Sequence, residues 1–278
     1  MIVDTHQHLW ELDRLSYSWP ASNPVLNRSF TLSDYREQSA GLGINQTVFV
    51  EADIDEPFIL DEVSYIESLA QSPENAITGI VAGIRPESDA FEDQIRFLAA
   101  QPHVMGVRRL LQDESDELST RPKFRENIRK LAAHNLSFDI CVRSRQLPLM
   151  TELVRETSEV QFVLDHCGNP PIASGNTTEW ERYLREISSL PNIVCKISGI
   201  VTQADRRQWK VDDLRPVIEH VIRCFGWNRV MFGSDWPVCL QASSLARWVE
   251  TLLAVIDGEP EANQRMLLSE NARRIYKC

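Results

Sequence analysis

The 278-residue chain sets 29 Lys and Arg against 40 Asp and Glu, a formal charge of −11, with 43% hydrophobic and 25% charged residues. That apolar content excludes an intrinsically disordered chain, and this length buries a core without disulfides or a structural metal. The acidic balance argues against nucleic acid and anionic membranes as partners, since both select basic faces, and leaves a small molecule held by local arginines.

Short runs rich in Val, Ile and Phe recur along the chain at 2–8, 46–51, 77–82, 104–110, 137–142, 161–166, 193–198 and 230–235. Between them lie stretches with helical apolar spacing, such as Phe58, Val63, Ile66, Leu69 and Ala70. Strand–helix alternation predicts a parallel sheet, and eight such units predict a single-domain α/β fold over 1–278, a (β/α)8 TIM-type barrel. A doubly wound open sheet is the rival. No Gly-rich phosphate loop follows the first strand, which favours the barrel. Residues 10–30, rich in Trp, Tyr, Pro and Asn, lengthen the first connection and read as a lid-like loop over the barrel mouth or as surface decoration. The tail, 262–276, reads as a closing C-terminal helix. No apolar run reaches the ~18 residues of a membrane span. The cysteines, Cys141, Cys167, Cys195, Cys224, Cys239 and Cys278, form no CxxC pair. The opening residues lack a signal-peptide pattern, so a cytoplasmic protein with reduced thiols is expected.

Candidate chemistry gathers at strand ends. His6 and His8 are two apart in the first strand and project to one face, where two imidazoles can bind a divalent cation or polarise a carbonyl. The sixth strand ends in His166 and the eighth in Asp235. In a barrel these ends converge on one mouth, so the four form a candidate metal or general-base cluster. Asp235, just before Pro237, is also placed to cap a helix. Arg108 and Arg109 end the fourth strand, and only one of them can face the centre. Lys196 lies in the seventh strand with Ser198 on its face, either in an internal ion pair or against substrate, with Glu51 as partner or as a further contact. Asp4 and Asp165 read as orienting groups.

Five segments in order, DTHQHLW, GVRRLLQ, LDHCGNP, CKISG and MFGSDWPVC, resemble the amidohydrolase superfamily, and more narrowly its sugar-lactonase branch of L-fuconolactonase and L-rhamnonolactonase type. The resemblance implies a hydrolase that opens the ester ring of an aldonolactone. By that likeness Asp235 activates water, and His6, His8 and His166 polarise the carbonyl. Arg108 or Arg109 meets substrate oxygens. Apart from the likeness, Tyr17, Trp19, Trp236, Glu51 and Lys196 stand as candidate substrate contacts. The chain departs from two-metal members. Its fourth strand offers arginines, which cannot ligate a metal, and its fifth, around Asp139, has no histidine. At most one divalent ion, a zinc on His6, His8 and Asp235, is then expected, with a metal-free site as the alternative. Two competing functions stand beside the lactonase: a zinc-dependent decarboxylase on the same barrel, and a non-catalytic sugar-acid-binding barrel. The missing fifth-strand histidine argues against the first, and the retained His and Asp set against the second.

Overall fold

In the computed structural model, which describes residues 1–277 and leaves Cys278 outside the described residues, eight parallel strands hydrogen-bond in chain order. They are β1 (Ile2–Gln7), β2 (Ile44–Val50), β3 (Ile77–Gly83), β4 (Val104–Leu110), β5 (Ser137–Cys141), β6 (Phe162–Leu164), β7 (Ile193–Ile197) and β8 (Val230–Phe232). The ring closes at its mouth. Asp235 N donates to His6 O at 2.8 Å, and His8 N donates to Trp236 O at 2.8 Å. The (β/α)8 barrel expected from the alternation is therefore the observed fold.

The helices that follow the strands are α1 (Leu32–Ser39), α2 (Ile59–Ala70), α3 (Phe91–Ala99), α4 (Pro122–Lys130), α5 (Leu147–Glu156), α6 (Thr178–Ser188), α7 (Val211–Phe225) and α8 (Leu245–Val255). Each turns one stripe inward. In α6 it is Trp180, Leu184 and Ile187, and in α7 it is Leu214, Val217, Ile218, Val221 and Phe225. Thr31 and Asp34 form a capping box that starts α1. No helix among the described residues is long and apolar enough to cross a membrane, and the five described cysteines are free thiols.

Inside the barrel, Val3, Val48, Val50, Val81, Val163, Val194 and Met231 pack with Ala272 and Tyr276. The last two come from the closing segment, where α9 (Glu261–Arg265) and α10 (Asn271–Tyr276) are joined by one π turn, Met266–Glu270. Tyr276 reaches far enough in for its hydroxyl to donate to Asp139 Oδ2 at 2.8 Å.

Two strands are shorter than their apolar runs. β6 stops at Leu164 and β8 at Phe232, because the chain then enters left-handed backbone at His166 (φ 52°), Cys167 (φ 55°) and Asp235 (φ 57°). Non-glycine residues adopt that region rarely, and such positions concentrate at functional sites. His166 and Asp235 are therefore aimed by turns beyond the strands and not by strand alternation. β1 is irregular too, with a register shift between Asp4 and Gln7.

Residues 10–30 are packed, not loose. Trp10 and Phe30 exchange two backbone hydrogen bonds at 3.0 and 2.8 Å, and both side chains are fully buried. Trp19 Nε1 donates to Ala52 O at 2.8 Å, and Asn23 Nδ2 donates to Gln241 Oε1 at 2.8 Å, which ties the loop to the segments that follow β2 and β8.

Candidate active site

A cavity of about 320 Å³ opens at the C-terminal ends of the strands. His8, His166, Asp235 and Arg108 line it and are each more than nine-tenths buried, while His6 lies fully buried beside them. One oxygen, Asp235 Oδ1, is the common neighbour of three imidazole nitrogens. His8 Nε2 is 3.4 Å away, and His6 Nε2 and His166 Nε2 are each 3.9 Å away. The structure thus brings together all four residues singled out at the strand ends. Asp235 caps no helix through its side chain; the short turn that follows is preceded by Pro237 and lacks a side-chain cap.

The other ring nitrogens explain how the imidazoles are oriented. His8 Nδ1 is 2.8 Å from Val50 O, and a carbonyl only accepts, so Nδ1 carries a proton and Nε2 is the nitrogen turned to Asp235. His6 Nδ1 faces Asp165 Oδ1 at 3.4 Å, while its Nε2 lies 3.3 Å from Arg108 Nη1, which donates to it. Burial, opposed by Asp165 and reinforced by Lys196, holds the His6 pKa well below its ordinary value, so the ring is neutral at neutral pH. Burial also lowers His166, against the pull of Asp235. His166 Nδ1 pairs with Ser198 Oγ at 2.9 Å.

His6 Nε2 and His8 Nε2 thus face the same carboxylate oxygen, and the His6 lone pair accepts from Arg108 Nη1 as well. This arrangement calls for a cation or a proton between them. His6, His8 and Asp235 place their ligand atoms within 4.8 Å of one another. The 3.4 Å separation of His8 Nε2 from Asp235 Oδ1 matches the ~3.4 Å edge of a tetrahedron with bonds of about 2.1 Å. A second nitrogen tied to an oxygen acceptor is the usual support of a ligating histidine. The residues fit one divalent ion. A second cluster, His6, Asp165 and His166, meets the same distance test. There, however, protein cations already stand: Lys196 Nζ is 3.2 Å from Asp165 Oδ1, and Arg108 Nη1 is 3.2 Å from Asp165 Oδ2. Both oxygens of Asp165 are thus already paired with protein cations, which leaves no carboxylate free for a second ion.

Beneath the cavity, Lys196 Nζ donates to Asp139 Oδ2 at 2.6 Å. Burial pushes the Asp139 carboxyl up to about 6, against the pull of Lys196. Burial would raise Asp165 as well, but Lys196, His6 and Arg108 outweigh it and hold that carboxyl well below the usual range. Arg108 Nε donates to Glu51 Oε1 at 2.7 Å and Nη2 donates to Glu51 O at 2.5 Å. The strand-end cations and acids thus neutralise one another in a buried interior.

Several expected substrate contacts lie elsewhere. Lys196 is fully buried in its ion pairs and does not line the cavity. Glu51 is buried against Arg108 and is likewise absent from the lining. Arg109 points away from the centre, as alternation in β4 requires, and pairs with Glu87 at 2.9 Å and Glu114 at 2.8 Å. Tyr17 is buried with its hydroxyl on Glu62 Oε1 at 3.0 Å. Trp236 is fully buried between Phe30 and Tyr35, with Nε1 donating to Gln38 Oε1 at 3.1 Å. Trp19 and Arg108 do line the cavity. Asp4 faces outward, accepting from Ser234 N and from the Tyr35 hydroxyl at 2.7 Å each, and so pins the β8 end to β1.

Sequence reasoning missed the upper wall, which carries the carboxamides of Asn23, Gln112, Asn169, Gln203 and Gln241 together with Asp53 and Arg206. It also missed two close approaches. A Cβ on Gly199 (φ +63°) would lie 2.4 Å from His166 Nδ1, and one on Gly233 would lie 2.7 Å from His6 Cβ. The glycines of the CKISG and MFGSDWP segments were the available signal.

The amidohydrolase family model matches residues 3–278. The chain is 32% identical to an L-fucono-1,5-lactonase of Burkholderia ambifaria over 243 residues, covering 85% of this chain and 80% of that protein. It is 31% identical to an L-fucono-1,5-lactonase of Burkholderia multivorans, covering 92% and 90%. An amidohydrolase of Burkholderia multivorans, solved with bound zinc, superposes with a TM-score of 0.90 at 28% identity over 100% of this chain and 99% of that one. On its family match, its closed eight-stranded barrel and the strand-end His and Asp residues at its mouth, this chain belongs to the amidohydrolase family.

Proposed function

We propose that this protein hydrolyses the ester bond of a sugar-acid lactone. The carrying observation is the Asp235 carboxylate, ringed by His6, His8 and His166 at the floor of a cavity whose upper wall carries five carboxamides beside Asp53 and Arg206. A volume of about 320 Å³ is at the small end of ligand sites and suits a monosaccharide-sized ring. Carboxamides donate and accept at once, which suits a substrate rich in hydroxyls. The lid-like loop 10–30 adds the face of Trp19. The likeness to the two L-fucono-1,5-lactonases points the same way.

In this reading Asp235 takes a proton from water while the water oxygen bonds to the lactone carbonyl carbon. His166 and Arg108 supply donors toward the oxygen that gains charge. As the ring C–O bond breaks, Asp235 returns its proton to the departing alkoxide, leaving an open-chain hydroxy acid. His6 Nε2, His8 Nε2 and Asp235 Oδ1 would hold one divalent ion, zinc by its preference for such ligands, and when bound it supplies Lewis acidity toward a carbonyl oxygen. Val50 O and Asp165 keep those two imidazoles in the ligating tautomer.

A screen of purified protein against a panel of aldono-1,4- and aldono-1,5-lactones, with a pH indicator reporting released acid, tests this. Turnover of at least one lactone is expected. Failure on the whole panel, with and without added zinc, overturns the reading.

A further inference from the structure

Among the described residues, two carboxylates line the cavity, Asp235 and Asp53. Asp235 is engaged by the imidazoles. The Asp53 carboxylate makes no hydrogen bond or ion pair within the described chain, although its own backbone N–H donates to Glu51 Oε2 at 2.8 Å. The residue directly follows Glu51 and Ala52 at the C-terminal end of β2, with left-handed backbone (φ 53°). What holds it there is visible. One oxygen of Glu51 takes the Arg108 guanidinium and the other takes the Asp53 N–H, while Ala52 O receives Trp19 Nε1. The backbone entering residue 53 is thus held, and Asp53 lines the cavity together with Trp19.

A carboxylate is an acceptor with two oxygens and no donor. On a cavity wall shared with Trp19, whose other charged members are Arg108, Arg206 and Asp235, it matches two neighbouring hydroxyl donors on a sugar ring. Resting on the lactone reading above, we propose that Asp53 is a specificity-determining residue that accepts hydrogen bonds from adjacent ring hydroxyls of the substrate. Partial desolvation by the surrounding cavity wall and the nearby Glu51 push its carboxyl up to about 6, which still leaves it mostly ionised at neutral pH. Asp53 is solvent-exposed in the free protein, so a bound ring that covers it but lacks one of those hydroxyls strips water from a carboxylate oxygen without replacing it, which is the condition under which polar discrimination is strong.

The test is a cycle of enzyme and substrate changes. Wild type, Asp53→Asn and Asp53→Gly are assayed on an aldono-1,5-lactone and on its analogues lacking a single ring hydroxyl. Asn tolerates left-handed backbone and Gly adopts it freely, so thermal unfolding should be unchanged for both. With wild type, loss of the recognised hydroxyl is expected to lower kcat/KM by roughly 10- to 100-fold, mainly through KM. With Asp53→Gly the parent lactone should lose a similar factor, and removing that hydroxyl should then cost nothing further. An equal loss on every substrate would assign Asp53 to the chemical step, and no loss would leave it idle; either result overturns the proposal. If wild type opens no aldonolactone, the lactone reading fails separately. Calorimetric binding of the parent aldoses and their deoxy analogues then decides the Asp53 claim: hydroxyl-dependent binding abolished in Asp53→Gly supports it, and hydroxyl-independent binding, or none, overturns it.

Discussion

Replacing Lys196 by Met should unfold the protein at a lower temperature and should not act as the loss of a substrate contact. Lys196, Asp139 and Asp165 are all fully buried, and the ammonium lies 2.6 Å from one carboxylate and 3.2 Å from the other. Asp165 keeps Arg108 at 3.2 Å, but among the described residues Asp139 is left with the hydroxyls of Tyr276 at 2.8 Å and Ser137 at 3.5 Å. Removing one partner of a buried ion pair costs about 3–5 kcal/mol. Unfolding entropy of about 2.1 cal/mol/K per residue over 278 residues amounts to ~0.6 kcal/mol/K, so Tm should fall by roughly 5–9 °C. Adding Asp139→Asn should recover part of the loss, because the stranded charge is gone. The assay is thermal unfolding of the single and double variants beside lactone kinetics. A Tm within about 2 °C of wild type, with the effect appearing instead in KM, would refute the placement of Lys196 in the barrel interior.

Gly199→Ala should lower kcat at least about tenfold with little loss of fold, since its Cβ would lie 2.4 Å from His166 Nδ1 and displace that ring; steady-state kinetics and circular dichroism check both halves. Glu62 is buried with Oε2 unpartnered, and burial together with Glu51 pushes its carboxyl from 4.5 up to about 8. The folded state therefore binds the proton more tightly than the unfolded chain. That contribution to stability is complete below pH ~4.5 and is lost as pH rises through about 8. Glu62→Gln should flatten the decline of Tm across that window, and an unchanged slope would remove Glu62 as its source. Metal analysis should give at most one equivalent per chain, and His8→Ala should lower it, because Lys196 and Arg108 already flank the only other ligand cluster found among the described residues.

The barrel was readable because eight apolar runs alternate with helical spacing, a pattern set by burial on both faces of each strand. His6, His8, His166 and Asp235 were readable as strand-end residues, yet the last two owe their aim to left-handed turns that apolar periodicity does not encode. The choice between Arg108 and Arg109 followed from alternation only once the register of β4 against β5 was known. Lys196 and Glu51 kept a substrate reading because charge alone does not say which partner lies across a barrel. Tyr17 and Trp236 resemble sugar-stacking residues in type, but the folding of loop 10–30 against α1 and α2 buries both. The carboxamide wall is spread over five separate loops, so no local motif announces it.

The central claim is that Asp235 activates water at a lactone carbonyl. Its most direct test is the kcat of Asp235→Asn on whichever aldonolactone the wild type opens, with Tm measured alongside. The geometry predicts a loss of at least about a thousandfold with the fold retained, since the Asn oxygen keeps the shape but cannot take the proton. A variant that keeps a tenth of wild-type kcat would contradict the account.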